Sequence, residues 1–421
     1  MTQKRASRKT GDGVENAPQQ QDQPGFRVSV GDIRIGPKER DYVNQVLDSS
    51  RLSYGPFSQR FESLFASLHD CKYAIFCNSG TSALHIALAA LKERHGWADG
   101  DEVIVPAVTF IATSNVVLHN HMKPVFVDVD AQTYNLDPAQ IEAHITPRTR
   151  AIIPVHLMGL PADMAPILDI AHRHGLRVIE DSCETMFADY RGRKVGSWGD
   201  VGCFSTYIAH YIVTGVGGLA TTNDAELAVH LKSLMNHGRD SIYLTIDDDA
   251  NCAPEKLFEI AARRFRFVSL GHSFRCTELE AAIGLAQLEH KDAIVERRKA
   301  VAAAYIKKLE PLSEWLQLPT VPPDRDHVFM LFPLVVRDGN KRPLINFLET
   351  NGIETRDLLP LLNQPIYRKL FGDLESQFPV AQWLNQGGFY IGCHQYIDEA
   401  AIKYVTDKFY EFFEQQRRQA A

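Results

Sequence analysis

Residues 73–91 read Tyr73-Ala74-Ile75-Phe76-Cys77-Asn78-Ser79-Gly80-Thr81-Ser82-Ala83-Leu84-His85-Ile86-Ala87-Leu88-Ala89-Ala90-Leu91. Five β-prone residues, Tyr73 to Cys77, run into a turn of small polar residues. From Thr81 onward the apolar positions Ala83, Leu84, Ile86, Ala87, Ala90 and Leu91 recur at helical spacing. A strand passing directly into a helix is the opening half of a βαβ unit. Gly80 lets the main chain approach a ligand closely, and the N–H groups of the first helical turn can accept a phosphate. An ordinary N-cap by Ser79 or Thr81 is the other reading of the same turn.

The pattern repeats downstream. Glu102 to Val105, Pro124 to Val129, Ala151 to Pro154 and Arg177 to Glu180 read as short strands, with helical stretches at Asn115 to His119, Pro138 to Ala143 and Ala162 to His174 between them. Strands spaced by helices predict an α/β fold with a mostly parallel sheet between helices. The glycine-rich turn Gly215 to Gly218 feeds a further run, Leu219 to Thr222, and a long helix is expected over Glu278 to Lys307. Beyond it, Met330 to Val336 reads as a strand, Pro343 to Asn351 as a helix and Glu399 to Gln416 as a closing amphipathic helix. The expected organisation is a polar, mobile tail over residues 1–25 and a large part over 26–300, whose first 35 residues form an arm. A small α+β part over 301–421 completes it. The segment Asp247 to Glu259 reads as an inserted acidic loop.

Composition sets outer limits. The chain has 421 residues, 45% apolar and 23% charged, with 45 Lys+Arg against 52 Asp+Glu for a net charge of -7. These are values of an ordinary globular protein, with no global cationic field for duplex nucleic acid. No apolar run approaches the roughly 18 residues needed to span a bilayer, and the basic residues near the amino terminus precede no apolar signal core. The seven cysteines form no CxxC pair, so reduced thiols in the cytoplasm are expected.

Ligands of an open α/β sheet sit at the carboxyl ends of strands, so the turns after each strand hold the candidates. Besides Ser79-Gly80-Thr81 these are Phe110, as core or as a stacking plate for a planar ring, and Glu180-Asp181, where a carboxylate can hold a protonated ring nitrogen or cap a helix. The stretch Cys203-Phe204-Ser205-Thr206-Tyr207-Ile208-Ala209-His210-Tyr211 is the last. Its histidine, in a polar and aromatic segment closed by glycines, is oddly placed for core packing.

Taken in order, Ser79-Gly80-Thr81-Ser82-Ala83-Leu84, Pro106-Ala107-Val108-Thr109-Phe110-Ile111-Ala112-Thr113, Val155-His156-Leu157-Met158-Gly159, Glu180-Asp181 and Thr214-Gly215-Val216-Gly217-Gly218 closely resemble the DegT/DnrJ/EryC1/StrS sugar aminotransferase family. Ser53-Tyr54-Gly55-Pro56 and Glu278 to Gln287 extend the likeness from about residue 30 to the end. The resemblance implies the fold-type I pyridoxal phosphate scaffold: a large part with a seven-stranded sheet and a small carboxy-terminal one. It implies that Gly80 and Thr81 hold the cofactor phosphate with Ser205, that Phe110 stacks on the pyridine ring and that Asp181 pairs with its nitrogen. It also implies a homodimer, in which Ser273 of the Gly271-His272-Ser273-Phe274-Arg275 segment reaches toward the neighbouring copy's cofactor phosphate.

The family places a lysine five residues before Gly215, where its amine bonds covalently to pyridoxal phosphate; this chain has His210 there. An imidazole has no primary amine to form that bond, but with an unperturbed pKa near 6.5 it can accept and return a proton. The cofactor, pyridoxal or pyridoxamine 5′-phosphate, is therefore expected to bind non-covalently. A histidine here resembles the nucleotide-sugar 3-dehydratase branch of the family, and Tyr207-Ile208-Ala209-His210-Tyr211-Ile212 is similar to that branch's YPAHHI. The resemblance implies removal of the 3-hydroxyl from a nucleotide-linked 4-keto-6-deoxy sugar, with His210 as acid and base and glutamate or another amino acid restoring the cofactor amine.

Amino-sugar formation is the second expectation, and a catalytically silent homologue is the third, because Val216 replaces the acidic residue of the family's GEGG turn and Ser273 replaces an asparagine. Some members of the dehydratase branch carry an iron–sulfur cluster. Cys183 and Cys252 match their pattern, but Ser241 and Tyr243 stand where further ligands would fall, so no metal is expected.

Overall fold

The computed structural model describes residues 26–245 and 247–420, and the expected tail over residues 1–25 lies outside them. Seven strands form the central sheet: β1 (Tyr73–Cys77), β2 (Glu102–Pro106), β3 (Lys123–Val127), β4 (Thr149–Ile152), β5 (Arg177–Asp181), β6 (Val201–Ser205) and β7 (Gly218–Thr222). Their order is β1-β7-β6-β5-β4-β2-β3. β2 to β6 pair in parallel, whereas β7 runs antiparallel to both β1 and β6. Two reversals leave β1 parallel to the rest, so β1, β2, β5 and β6 all present their carboxyl ends at one edge. β7 follows β6 through residues 206–217, which hold no helix, whereas a parallel neighbour is usually reached by a helical crossover.

Helices cover both faces of this sheet. The helix Gly80–His95 buries Ala83, Leu84, Ile86, Ala87, Leu88, Ala90 and Leu91, more of its circumference than one amphipathic stripe would, because it lies against the sheet and against the helices Ile111–His119 and Ala225–Met235. The helix Pro56–Leu68 buries Phe57, Phe61 and Phe65 at four-residue spacing. Its amino terminus is capped by buried Glu278, whose carboxylate accepts the N–H groups of Gly55, Phe57 and Ser58 at 2.8–2.9 Å. Negative charge at that end also complements the helix dipole.

A second sheet contains β8 (Leu316–Gln317), β9 (Leu331–Val336), β10 (Thr355–Asp357) and β11 (Gly388–Gly392) in the order β8-β9-β11-β10, all antiparallel. Its core gathers Val301, Tyr305, Leu334, Phe389 and Phe409, and takes in Val28 from the amino-terminal arm. Residue 300 lies inside one helix, Lys291–Leu309: Ile294 and Val295 pack on the first core and Val301 onward on the second.

Two expected elements differ. The helix over Glu278 to Lys307 is two, Glu278–Leu288 and Lys291–Leu309, because His290 leaves the helical region at φ -116°, ψ 11°. Glu289, at the break, accepts a hydrogen bond from Tyr42 and pairs with Lys38. The loop Asp247 to Glu259 becomes helical in its second half, Pro254–Arg263, since Pro254 suits the first helical position. Arg263 pairs with Asp240 and Glu259, Arg264 with Asp249 and Arg266 with Asp240, so all three have carboxylate partners within the protein. Among the described residues, no helix is long and apolar enough to cross a membrane.

Candidate active site

The carboxyl edge of the central sheet opens into a cavity of about 400 Å³ lined by Gly80, Thr81, Phe110, Asp181, Ser205 and His210 among others. Six residues from four separate turns of the chain thus meet in one place. Ser273, whose expected reach is toward a neighbouring copy, lines a second cavity with Tyr54, Lys232, Arg239 and Arg275, and its hydroxyl accepts from Arg275 at 3.0 Å.

The first wall is the amino terminus of the helix Gly80–His95. Ser79 is its N-cap, accepting the Ser82 N–H at 3.0 Å, while the N–H groups of Gly80 and Thr81 have no protein partner among the described residues. Two free donors at the positive end of a helix form a ready anion site. A Cβ on Gly80 would stand 2.7 Å from Cys183 Sγ and 2.8 Å from the Ser205 Cβ, so this cradle tolerates no side chain.

Phe110 is 57% exposed, so it is not core; its ring stands open at the start of the helix Ile111–His119 as a cavity wall. Asp181 ends β5 at the cavity floor and is 4% exposed. Burial raises its pKa, opposed by hydrogen bonds from the Thr113 hydroxyl at 2.7 Å and the Cys183 N–H at 3.1 Å. Thr113 itself bonds at 2.7 Å to Thr109, which lies in the turn just before the helix.

Neighbouring Glu180 points away from the cavity. It accepts the N–H groups of Gly196, Trp198 and Gly199 together with His156 Nε2. Because His156 Nδ1 accepts the Ala162 N–H, its proton sits on Nε2 and is donated to Glu180. Glu180 and His156 therefore brace the strand end, and Asp181 alone faces a ligand.

His210 sits on the loop between β6 and β7. The base of that loop is closed by Thr206 and Thr214, whose hydroxyls lie 2.6 Å apart. The His210 Nδ1 lies 3.0 Å from the Tyr207 carbonyl, which can only accept, so Nδ1 carries the proton and Nε2 keeps a free lone pair. Burial lowers the ring's pKa to about 4, with nearby Arg298 acting in the same direction. Glu184 also lines the cavity, and burial raises its carboxyl to about 7. No lysine lines this cavity among the described residues.

The site can thus hold an anion at one end, stack a planar ring on Phe110, place a carboxylate at the far end and move a proton at His210 Nε2. These are the demands of a phosphorylated pyridine cofactor. Thr113, Glu184 and Arg298 were absent from the sequence-based set. Thr113 had one visible signal, its i, i+4 relation to Thr109.

The family model described as DegT/DnrJ/EryC1/StrS aminotransferase family matches residues 34–410. The chain is 40% identical to the GDP-perosamine synthase of Caulobacter vibrioides over 90% of this chain and 96% of that protein. Among solved structures it is similar to S. venezuelae DesV in complex with a ketimine intermediate, with 32% identity, 89% and 94% coverage and a TM-score of 0.79. It is also similar to the E. coli GDP-4-keto-6-deoxy-D-mannose-3-dehydratase with bound hydrated pyridoxal phosphate, with 26% identity, 91% and 99% coverage and a TM-score of 0.82. The fold is the fold-type I scaffold of pyridoxal phosphate enzymes, and the chain belongs to the DegT/DnrJ/EryC1/StrS aminotransferase family.

Proposed function

We propose that this protein is a nucleotide-sugar aminotransferase that uses non-covalently held pyridoxamine phosphate to aminate a nucleotide-linked keto sugar, with His210 moving the proton. The observation that carries the reading is the assembly of Gly80, Thr81, Phe110, Asp181, Ser205 and His210 around one cavity. When bound, the cofactor would supply a primary amine that condenses with the keto carbon and a pyridinium that takes up electron density.

The chain's own residues then divide the work. The free N–H groups of Gly80 and Thr81, with the Ser205 hydroxyl, bind the phosphate and fix the ring's position. Phe110 excludes water from one face of the ring. Asp181, kept in place by Thr113 and the Cys183 N–H, holds the proton on the ring nitrogen. His210 Nε2 takes up a proton and returns it; its lowered pKa leaves it unprotonated, and so ready as a base, near neutrality. With no lysine in the cavity among the described residues, they offer no amine there to displace the product. Water or the incoming amino donor, such as glutamate, must do so, which makes product release the expected slow step.

The relatives favour amination over the dehydration expected from His210: the 40% identical protein is a GDP-perosamine synthase, and the dehydratase structure is 26% identical. Dehydration at C3 is retained as a second reading on one observation, the imidazole where the family carries its lysine. In that case the proton movement at His210 accompanies loss of the 3-hydroxyl. Incubation of the purified protein with pyridoxamine phosphate and a nucleotide-linked 4-keto-6-deoxyhexose separates the two. A stoichiometric amino sugar supports the first reading, and a 3-deoxy product with released ammonia replaces it by the second. We further propose a homodimer in which the cavity holding Ser273 faces the neighbouring copy; light scattering that finds a monomer under assay conditions refutes this.

A further inference from the structure

Arg298, on the helix Lys291–Leu309, is 1% exposed. Its guanidinium donates from Nη2 to the His210 carbonyl at 3.1 Å, from Nη1 to the Met330 carbonyl at 2.7 Å and from Nε to Gln395 Oε1 at 3.2 Å. It also lies over the Tyr211 ring, 4.9 Å from the centroid. All three acceptors are uncharged, and among the described residues no carboxylate pairs with it. The other deeply placed arginine, Arg325, has Asp163 and Asp324 as partners. An unpaired buried cation carries a desolvation cost that an apolar side chain of similar size would not. Such a charge calls for a role other than packing.

We propose that Arg298 is a positioning residue for His210: it clamps the His210 main chain against the second core and sets a fixed positive charge beside the imidazole. The inference rests on the reading that His210 moves the proton. The clamp acts through the loop of residues 206–217, which is fixed at its base by Thr206 and Thr214 and, among the described residues, near its tip by Arg298 alone among charged side chains. Because Met330 precedes β9 and Gln395 follows β11, the same guanidinium ties the proton-moving loop to the second sheet.

The charge acts in the direction of burial, since a nearby cation disfavours the imidazolium and keeps Nε2 available. Other titratable groups line the cavity with His210: Asp181, Glu184, Cys183 and Tyr390 from other turns and Tyr207 from its own loop. Tyr211, Cys393 and His394 surround Arg298 itself. Ionised carboxylates at Asp181 and Glu184 would stabilise the imidazolium, so Arg298 is the charge that opposes them.

The test compares R298K and R298M with the unaltered protein in single-turnover kinetics over pH 4–9, together with thermal melting and pyridoxamine phosphate affinity. In R298M the acid limb of the rate profile should move up by about one unit or more, the change expected when a like charge within several ångströms is removed. The rate at neutral pH should fall about tenfold or more, with substrate KM and cofactor affinity nearly unchanged. R298K keeps the charge but loses the forked donor set, so it should retain the acid limb while losing rate. A lowered melting temperature with an unshifted profile in both variants would assign Arg298 to packing alone and overturn the proposal. If R298M does not fold, an R298K profile that shifts as far as one unit overturns it equally. H210N separates this inference from the reading beneath it: full activity in H210N removes His210 from the chemistry, whereas inactive H210N with normal Arg298 variants refutes only the clamp.

Discussion

The Thr113 hydroxyl donates to Asp181 Oδ2 at 2.7 Å, from the helix after β2 to the end of β5. With hydrogen bonds from Cys183, it counters the burial of that carboxylate. Thr113→Val removes it while keeping volume. A hydrogen bond to a charged group contributes about 1.5–3 kcal/mol. Pyridoxamine phosphate affinity or turnover should therefore drop roughly tenfold to a hundredfold, since about 1.4 kcal/mol is a factor of ten. Isothermal titration and initial rates measure this, and an unchanged variant would show that Asp181 needs no such support.

His210→Asn should abolish turnover while cofactor affinity stays within about threefold, because an amide keeps hydrogen bonding but has no basic lone pair. His210→Lys should gain what the natural chain lacks. Borohydride treatment with pyridoxal phosphate is expected to leave the ring attached to H210K and to be removed from the unaltered protein by dialysis. Mass spectrometry reads both, and a reduced adduct on the unaltered chain contradicts non-covalent binding.

Gly218→Ala should break the anion cradle from behind. The added Cβ would lie 2.3 Å from the Gly80 nitrogen and 2.4 Å from the Ser79 carbonyl carbon, both main-chain atoms that cannot swing aside. Overpacking costs about 1–3 kcal/mol, and more where the clashing atoms cannot yield. A clear fall in melting temperature together with loss of cofactor binding is the expected outcome, and a variant that melts and binds normally would show that β7 can slide away from the turn.

Acid should destabilise the fold before carboxylates are titrated. His69 is fully buried and His327 is 4% exposed, and burial lowers each to about 3. Their folded pKa values lie below the unfolded value of 6.5, so the unfolded chain binds more protons in that interval. Stability is fully present above about pH 6.5 and is lost as pH falls toward 3, by on the order of 4 kcal/mol for each histidine at the lower limit. Urea midpoints across pH 4–8 measure it. His69→Gln should flatten the slope, and a slope unchanged by that replacement would clear His69 of any part in it.

The wider pattern follows from which forces are local. The strands β2, β3 and β5 and the helix after β1 were legible because apolar periodicity and β-branched runs are properties of neighbouring residues. The break at Glu289 and His290 was not, since neither residue is a helix breaker and the partners of Glu289, Lys38 and Tyr42, lie some 250 positions away in sequence. The helix Pro254–Arg263 was missed for a related reason. Its amphipathic pattern buries only Ile260, so the sequence looked like solvated loop.

The sequence by itself determined that small residues follow a strand at Ser79-Gly80-Thr81, that a carboxylate ends another strand at Asp181, and that an imidazole occupies position 210. These are matters of residue type and order, which need no partner. Only the tertiary structure decided that Glu180 turns inward while Asp181 faces the cavity, that Nε2 is the basic atom of His210, and that Arg298 reaches its carbonyl. Each depends on atoms brought together from distant turns of the chain, and burial beside those atoms, rather than the residue's own chemistry, sets its charge.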